Sequence, residues 1–196
     1  MSVRPATAAD IPKIADALAE AFSGDPPMMW FTPEEEGRAE RLVPYFRALV
    51  GKLHLPYGEV WMSDEPAGAA AWVAPGSWPL STWKRRGVIP VELKTFGRHL
   101  LRTLRGVEAI ERGHPQEPHW YLEYIGVERA AHGRGTGSAL LRPMLEHCDA
   151  ERVPAFLNAG SERSRELYRR HGFEVTEEFR LPDDGPPLWR MWREPR

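Results

Sequence analysis

Apolar positions in the first fifty residues recur at helical spacing. Ile11, Ile14, Ala15, Leu18, Ala21 and Phe22 form one stripe, with Thr7 as its N-cap and Gly24, Pro26 and Pro27 as its stop. Residues 3–6 before it read as a short strand. Met28-Met29-Trp30-Phe31 reads as an apolar cluster in a loop, either packed between helices or walling a pocket. Ala39, Leu42, Val43, Phe46, Leu49 and Val50 predict a second helix over 33–52, which Pro44 is expected to kink or interrupt. Strand-like runs at 58–62 and 68–74 flank Ser63-Asp64-Glu65-Pro66, which is turn chemistry, so a hairpin is expected. Residues 77–118 are the least readable. Leu93, Phe96, Leu100, Leu101, Leu104 and Val107 fit one helical stripe, and Trp78 and Trp83 flank Lys84-Arg85-Arg86, read as a solvated helix end rather than a phosphate site.

The pattern sharpens from residue 119. Residues 119–127 are aromatic and branched and predict a central strand. Simple alternation places Tyr121, Glu123 and Ile125 on one face and Trp120, Leu122 and Tyr124 on the other. A glycine-rich turn follows, then a helical stripe of Ala139, Leu140, Leu141, Met144, Leu145 and Cys148. Residues 153–158 form a further short strand, Ser161 caps a helix that carries Tyr168, and residues 188–193 alternate as a final strand facing the substrate side. Glu174, Glu177 and Glu178 fall on an exposed hairpin strand.

Composition narrows the class. The 196 residues carry 26 Lys plus Arg against 28 Asp plus Glu, a net charge of −2 that argues against a nucleic-acid clamp. Hydrophobic content of 42% with 28% charged is that of a globular chain. A lone cysteine, Cys148, excludes an intrachain disulfide and a Cys-rich zinc site. The histidine spacings show no metal pattern, so no metal is expected. No apolar run reaches the ~20 residues of a membrane helix. The expectation is one domain over 1–196, cytoplasmic, with no nucleic-acid or membrane partner, as a monomer or homodimer.

The chemistry concentrates in His132-Gly133-Arg134-Gly135-Thr136-Gly137-Ser138 between strand and helix. Glycines permit positive φ and close backbone approach, and successive amides at a helix N-terminus suit a phosphate. The turn lacks the Gly-Lys-Ser/Thr of a Walker loop, and its G-x-G-x-G spacing departs from the dinucleotide fingerprint. It resembles the acetyl-CoA-binding motif of the GNAT family of N-acetyltransferases, written (Gln/Arg)-x-x-Gly-x-(Gly/Ala). Tyr168 followed by His171-Gly172-Phe173 resembles the family's second signature. Residues 153–157 and the strands of Trp61 and Trp72 look more particularly like its puromycin N-acetyltransferase branch.

The resemblance implies a mixed α/β fold: a twisted, mostly antiparallel sheet of about seven strands flanked by helices, with strands 4 and 5 splayed. It implies acetyl-CoA as co-substrate. The backbone of 125–127 (Ile125, Gly126, Val127) would then pair with the pantetheine arm, and the amides of 132–137 with Ser138 would hold the pyrophosphate. Ser164 stands where the family often has a cofactor-touching Asn, and His132 where it has Gln or Arg.

The implied reaction is attack of a primary amine of a small molecule on a thioester in a ternary complex. A lysine-like amine has a reference pKa of about 10.4, so on the order of one molecule in a thousand is neutral at pH 7, and a general base helps. Glu123, the lone carboxylate in an apolar strand, is the expected base, acting directly or through water. Tyr168 is the expected acid for the thiolate. The acceptor pocket is expected from 25–36 and 77–116, with Trp30, Trp78 and Trp83 as candidates. The alternatives are a non-catalytic acyl-CoA-binding regulatory module, and acetylation of protein lysines or N-termini.

Overall fold

The computed structural model describes residues 2–65, 67–78 and 85–196; Trp83 and Lys84 therefore lie outside the described residues. A seven-stranded sheet has the order β1-β2-β3-β4-β5-β7-β6. Its strands are β1 (Val3–Pro5), β2 (Gly58–Ser63), β3 (Gly68–Val73), β4 (Trp120–Val127), β5 (Ala155–Ala159), β6 (Glu174–Arg180) and β7 (Pro187–Arg193). Among the described residues only β4 and β5 run parallel; the other neighbours are antiparallel. The predicted hairpin is β2–β3, paired from Gly58↔Val73 to Ser63↔Gly68.

Helices cover both faces. α1 (Ile11–Phe22) and α3 (Arg38–Leu49) pack on one, together with Ala69 and Ala71 of β3. α6 (Thr136–Glu151) and α7 (Glu162–Arg170) pack on the other with Ala70 and Trp72. Every residue of β3 is buried. A strand covered on both faces reads as a continuous apolar run, and its alanines let the helices approach.

Three expectations change. Met28–Phe31 belong to a helix, α2 (Pro26–Phe31), not a loop. The prolines that stop α1 also start α2: Asp25 is its N-cap, accepting from the Met28 amide at 3.3 Å, and Pro26 takes the first turn, where a missing N–H costs nothing. Pro44 sits inside α3 without ending it. Leu42, Phe46 and Leu49, buried on both sides of it, hold the helix down. The irregularity comes later, as a π-helical turn at Val50–His54.

The third change is in residues 89–111. The single stripe is two helices, α4 (Ile89–Phe96) and α5 (Leu100–Glu111), broken at Gly97 with φ +36°. Leu93 and Leu101 are exposed, because only the inner edge of this pair packs, over a cavity described below that the partly exposed Leu104 helps to line.

Candidate functional site

β4 and β5 pair only over Trp120–Leu122 and Ala155–Leu157. From Glu123 to Val127 the β5-facing edge of β4 has no strand partner among the described residues, so the sheet opens there. In an antiparallel ladder, opposed residues alternate between exchanging hydrogen bonds and turning them outward. The Glu128 amide donates to the Ala67 carbonyl at 3.1 Å, which fixes the parity with β3. Gly126, opposite Ala69, therefore turns its N–H and C=O to β3. Ile125 and Val127 turn theirs into the gap. Gly126 thus has a different role from the one its place in the 125–127 run suggested. A Cβ there would meet Ala21 Cβ at 2.8 Å and Leu18 Cδ2 at 2.9 Å, so it lets α1 lie against β4.

The glycine-rich turn ends in α6, whose N-cap is Gly135. Gly133 and Gly135 both have φ +80°, and a Cβ on either would meet open space. Positive φ at both aims successive amides outward. The amides of His132 and Arg134 are already committed, to the carbonyls of Arg129 (3.1 Å) and Ala131 (3.3 Å). Those of Gly133, Gly135, Thr136, Gly137 and Ser138 have no carbonyl partner among the described residues, as expected at a helix start. The buried Thr136 hydroxyl has no partner either.

A cavity of about 300 Å3 extends from this gap under α2, α4 and α5. Ile125, Glu123, Tyr168, Ser164 and Asn158 line it, with Phe22, Phe31, Phe96 and Leu188 among its apolar walls. Segments 25–36 and 77–116 do supply walls, including Trp78; Trp30 instead packs on Phe31 and Arg102.

Glu123 reaches the cavity through a β-bulge. The β3–β4 register runs Ala71↔Tyr124 then Trp72↔Leu122, so Glu123 has no opposite number. An extra residue reverses the alternation beyond it. Trp120, Leu122, Ile125 and Val127 share the α6 face, whereas Tyr124 packs with the α1–α3 cluster. The expected grouping of Tyr121, Glu123 and Ile125 on one face is thereby corrected.

Burial pushes the Glu123 carboxyl up to about 7, against a smaller opposing effect of Arg85. Burial also pushes Asp25, another cavity carboxyl, up to about 6. It holds the Tyr168 phenol well above its usual value, and the nearby Asp25 adds to this.

A model of the Acetyltransferase (GNAT) family matches residues 28–173. The chain belongs to this family. An uncharacterized N-acetyltransferase of Schizosaccharomyces pombe is 27% identical over 208 residues, spanning 100% of this chain and 84% of that protein. A crystal structure from Corynebacterium glutamicum, described as histone acetyltransferase HPA2 and related acetyltransferase, is 31% identical with a TM-score of 0.76, covering 100% of this chain and 96% of that one. An N-acetyltransferase from Staphylococcus aureus Mu50 shares the fold at 19% identity and TM-score 0.66, over 98% and 100% of the two chains. The splayed β4–β5 sheet is the GNAT fold, and the protein is an acetyl-CoA-dependent acyltransferase.

The residues present suit coenzyme A: unclaimed amides at the start of α6, the outward strand groups of Ile125, and the N–H of Val127. Three side chains named from the GNAT motif are engaged elsewhere. His132 Nε2–H donates to the Val127 carbonyl (3.2 Å), and its Nδ1 accepts from Arg163 (2.9 Å). Ser138 Oγ lies 2.9 Å from His171 Nε2. Ser164 closes the capping box of α7: its hydroxyl donates to the Ser161 carbonyl (2.8 Å) and accepts from the Ser161 amide (3.1 Å). Ser164 therefore has no donor left for a cofactor amide, although it lines the cavity.

The sequence reading missed several residues in or just behind the cavity wall of this acetyltransferase. Tyr45 and Tyr124 bring their hydroxyls within 3.2 Å of each other, and Arg85 pairs with Glu92 at 2.7 Å. His54, buried beside Tyr124, faces Glu123. Tyr45, between Val43 and Phe46, was legible as a polar group inside an apolar stripe; Arg85 fell in the basic run read as a solvated helix end, which its pairing with Glu92 in the cavity wall corrects; His54 gave no signal.

Proposed function

We propose that this GNAT protein transfers the acetyl group of acetyl-CoA to the primary amine of a small molecule, by direct attack with both substrates bound. One observation carries the reading: Glu123, Tyr168 and the free edge of β4 at Ile125 border a single cavity. Roofed by α2, α4 and α5 and walled by aromatic side chains, the cavity suits a compact acceptor with an apolar body better than a protein chain. Asp25, Glu111 and Glu123 give it carboxylates toward a cationic amine, while Arg85 offsets Glu92.

Acetyl-CoA supplies an acetyl thioester and a thiol leaving group. The amides of Gly133, Gly135, Thr136, Gly137 and Ser138 take the pyrophosphate. The backbone groups of Ile125 take the pantetheine. Glu123 accepts a proton from the acceptor ammonium, directly or through water. The C–N bond then forms and the C–S bond breaks. The Val127 N–H donates to the carbonyl oxygen as charge gathers on it. Tyr168, kept protonated by its burial, gives its proton to the sulfur, and the second proton lost by nitrogen replaces it.

The test is a thiol-release screen over amine antibiotics (aminonucleosides included, for the likeness to the puromycin branch), polyamines, amino acids and peptides. A small amine should lead. E123Q should lower kcat by about 10² or more, and Y168F should slow turnover without abolishing it. Preference for peptides would move the acceptor class to protein amines. Acetyl-CoA binding without thiol release from any amine would favour a regulatory binding module.

A further inference from the structure

His54 is 1% exposed, yet among the described residues neither ring nitrogen has a hydrogen-bond partner. Leaving buried polar atoms unpaired costs stability, so such a group calls for a reason. Two backbone irregularities on different elements bear on it. The π-helical turn after α3 ends on His54, and the bulge in β4 inserts Glu123. Together they set His54 Nε2 at 3.5 Å from Glu123 Oε2, and Oε2 also has no hydrogen-bond partner. Both kinds of irregularity gather at functional sites.

We propose that His54 is a positioning residue for Glu123: its Nε2–H donates to Oε2 of the ionised carboxylate and leaves the other oxygen to the acceptor amine. This rests on the reading of Glu123 as the base. At 3.5 Å the contact is longer than a formed hydrogen bond, and a small carboxylate rotation closes it, as such bonds tighten when substrates bind. The contact is no imidazolium–carboxylate ion pair. Burial pushes His54 down to about 4, so the ring is neutral while Glu123 titrates near 7. With the proton on Nε2, only a lone pair at Nδ1 stays unpaired, which costs less than a buried N–H. The other titratable groups around the pair are Tyr45 of α3, Tyr121 and Tyr124 of β4, Arg85 ahead of α4, Glu92 of α4, and Glu111 of α5.

The experiment compares H54L, which fills the space without a donor, with H54Q, which keeps a neutral N–H. H54L should lower kcat about tenfold, leave KM for acetyl-CoA unchanged and move the acid limb of kcat/KM upward by about one pH unit. H54Q should restore the limb and most of the rate. Equal losses in both variants with an unmoved limb would mean that His54 only fills space, and would overturn the proposal.

A second readout needs no acceptor and no H54L. In 15N-histidine spectra of the wild type, the His54 Nε2 resonance should shift with a midpoint near pH 7, and E123Q should abolish that shift. A flat wild-type resonance would also overturn the proposal. A responsive resonance with no amine acetylated would instead remove the proposed activity and leave the pair standing.

Discussion

A carboxyl group held near pH 7 by burial is half ionised in neutral buffer, and Glu123 is in that position. As a base it works only when ionised, so kcat/KM should fall as pH drops through about 7, a limb that a pH–rate profile would show and E123Q would lack. The same shift bears on stability. A carboxyl whose folded value lies above its ordinary 4.5 contributes stability that is complete below that value and is lost as pH rises through 7. E123Q should therefore melt above the wild type at pH 8, by on the order of 3 kcal/mol at most, and the gap should close by pH 5. Melting curves at the two pH values check this. Glu123 was legible in the sequence as the lone carboxylate of an apolar strand. His54 was not, because a single histidine after a helix carries no sign of what it will face.

Glycines in the same third of the chain do different work, and substitution separates them. Gly126 lets α1 touch β4, so G126V should cost about 1–3 kcal/mol by overpacking while leaving the acetyl-CoA turn intact. Gly133 has positive φ and open space around it, so G133A should cost about 1 kcal/mol in backbone strain and weaken acetyl-CoA binding. Denaturant melts with calorimetric titration would distinguish the two. In α7, Ser161 accepts from the Ser164 amide, and S161A should cost about 1 kcal/mol while leaving the Ser164 hydroxyl on the backbone of residue 161. Residues 25–31 show how one signal can be read twice: the prolines that end one helix are, after an aspartate, the first turn of the next.

The cavity belongs to no one element. It forms where α2, α4 and α5 close over the point at which β4 and β5 part. Acetyl-CoA binding to the folded state should raise the melting temperature, by the equivalent of about 2.7 kcal/mol at a hundredfold excess over Kd. G135V should lose most of that rise, because Gly135 sits at φ +80° where α6 begins. A thermal-shift titration would show either result.

Local chemistry was enough for the elements and the cofactor turn. Turn residues marked the β2–β3 hairpin, glycines marked the start of α6, and Ser161 marked α7, since backbone conformation and capping depend on near neighbours. Tertiary packing decided the rest. The bulge at Glu123 depends on how β3 pairs with β4, and it reversed the faces that alternation predicted. The break at Gly97 and the exposure of Leu101 depend on what the helices cover. The meeting of Glu123 with His54 joins residues far apart in the chain, and the burial that holds one carboxyl near pH 7 is a property of everything packed around it.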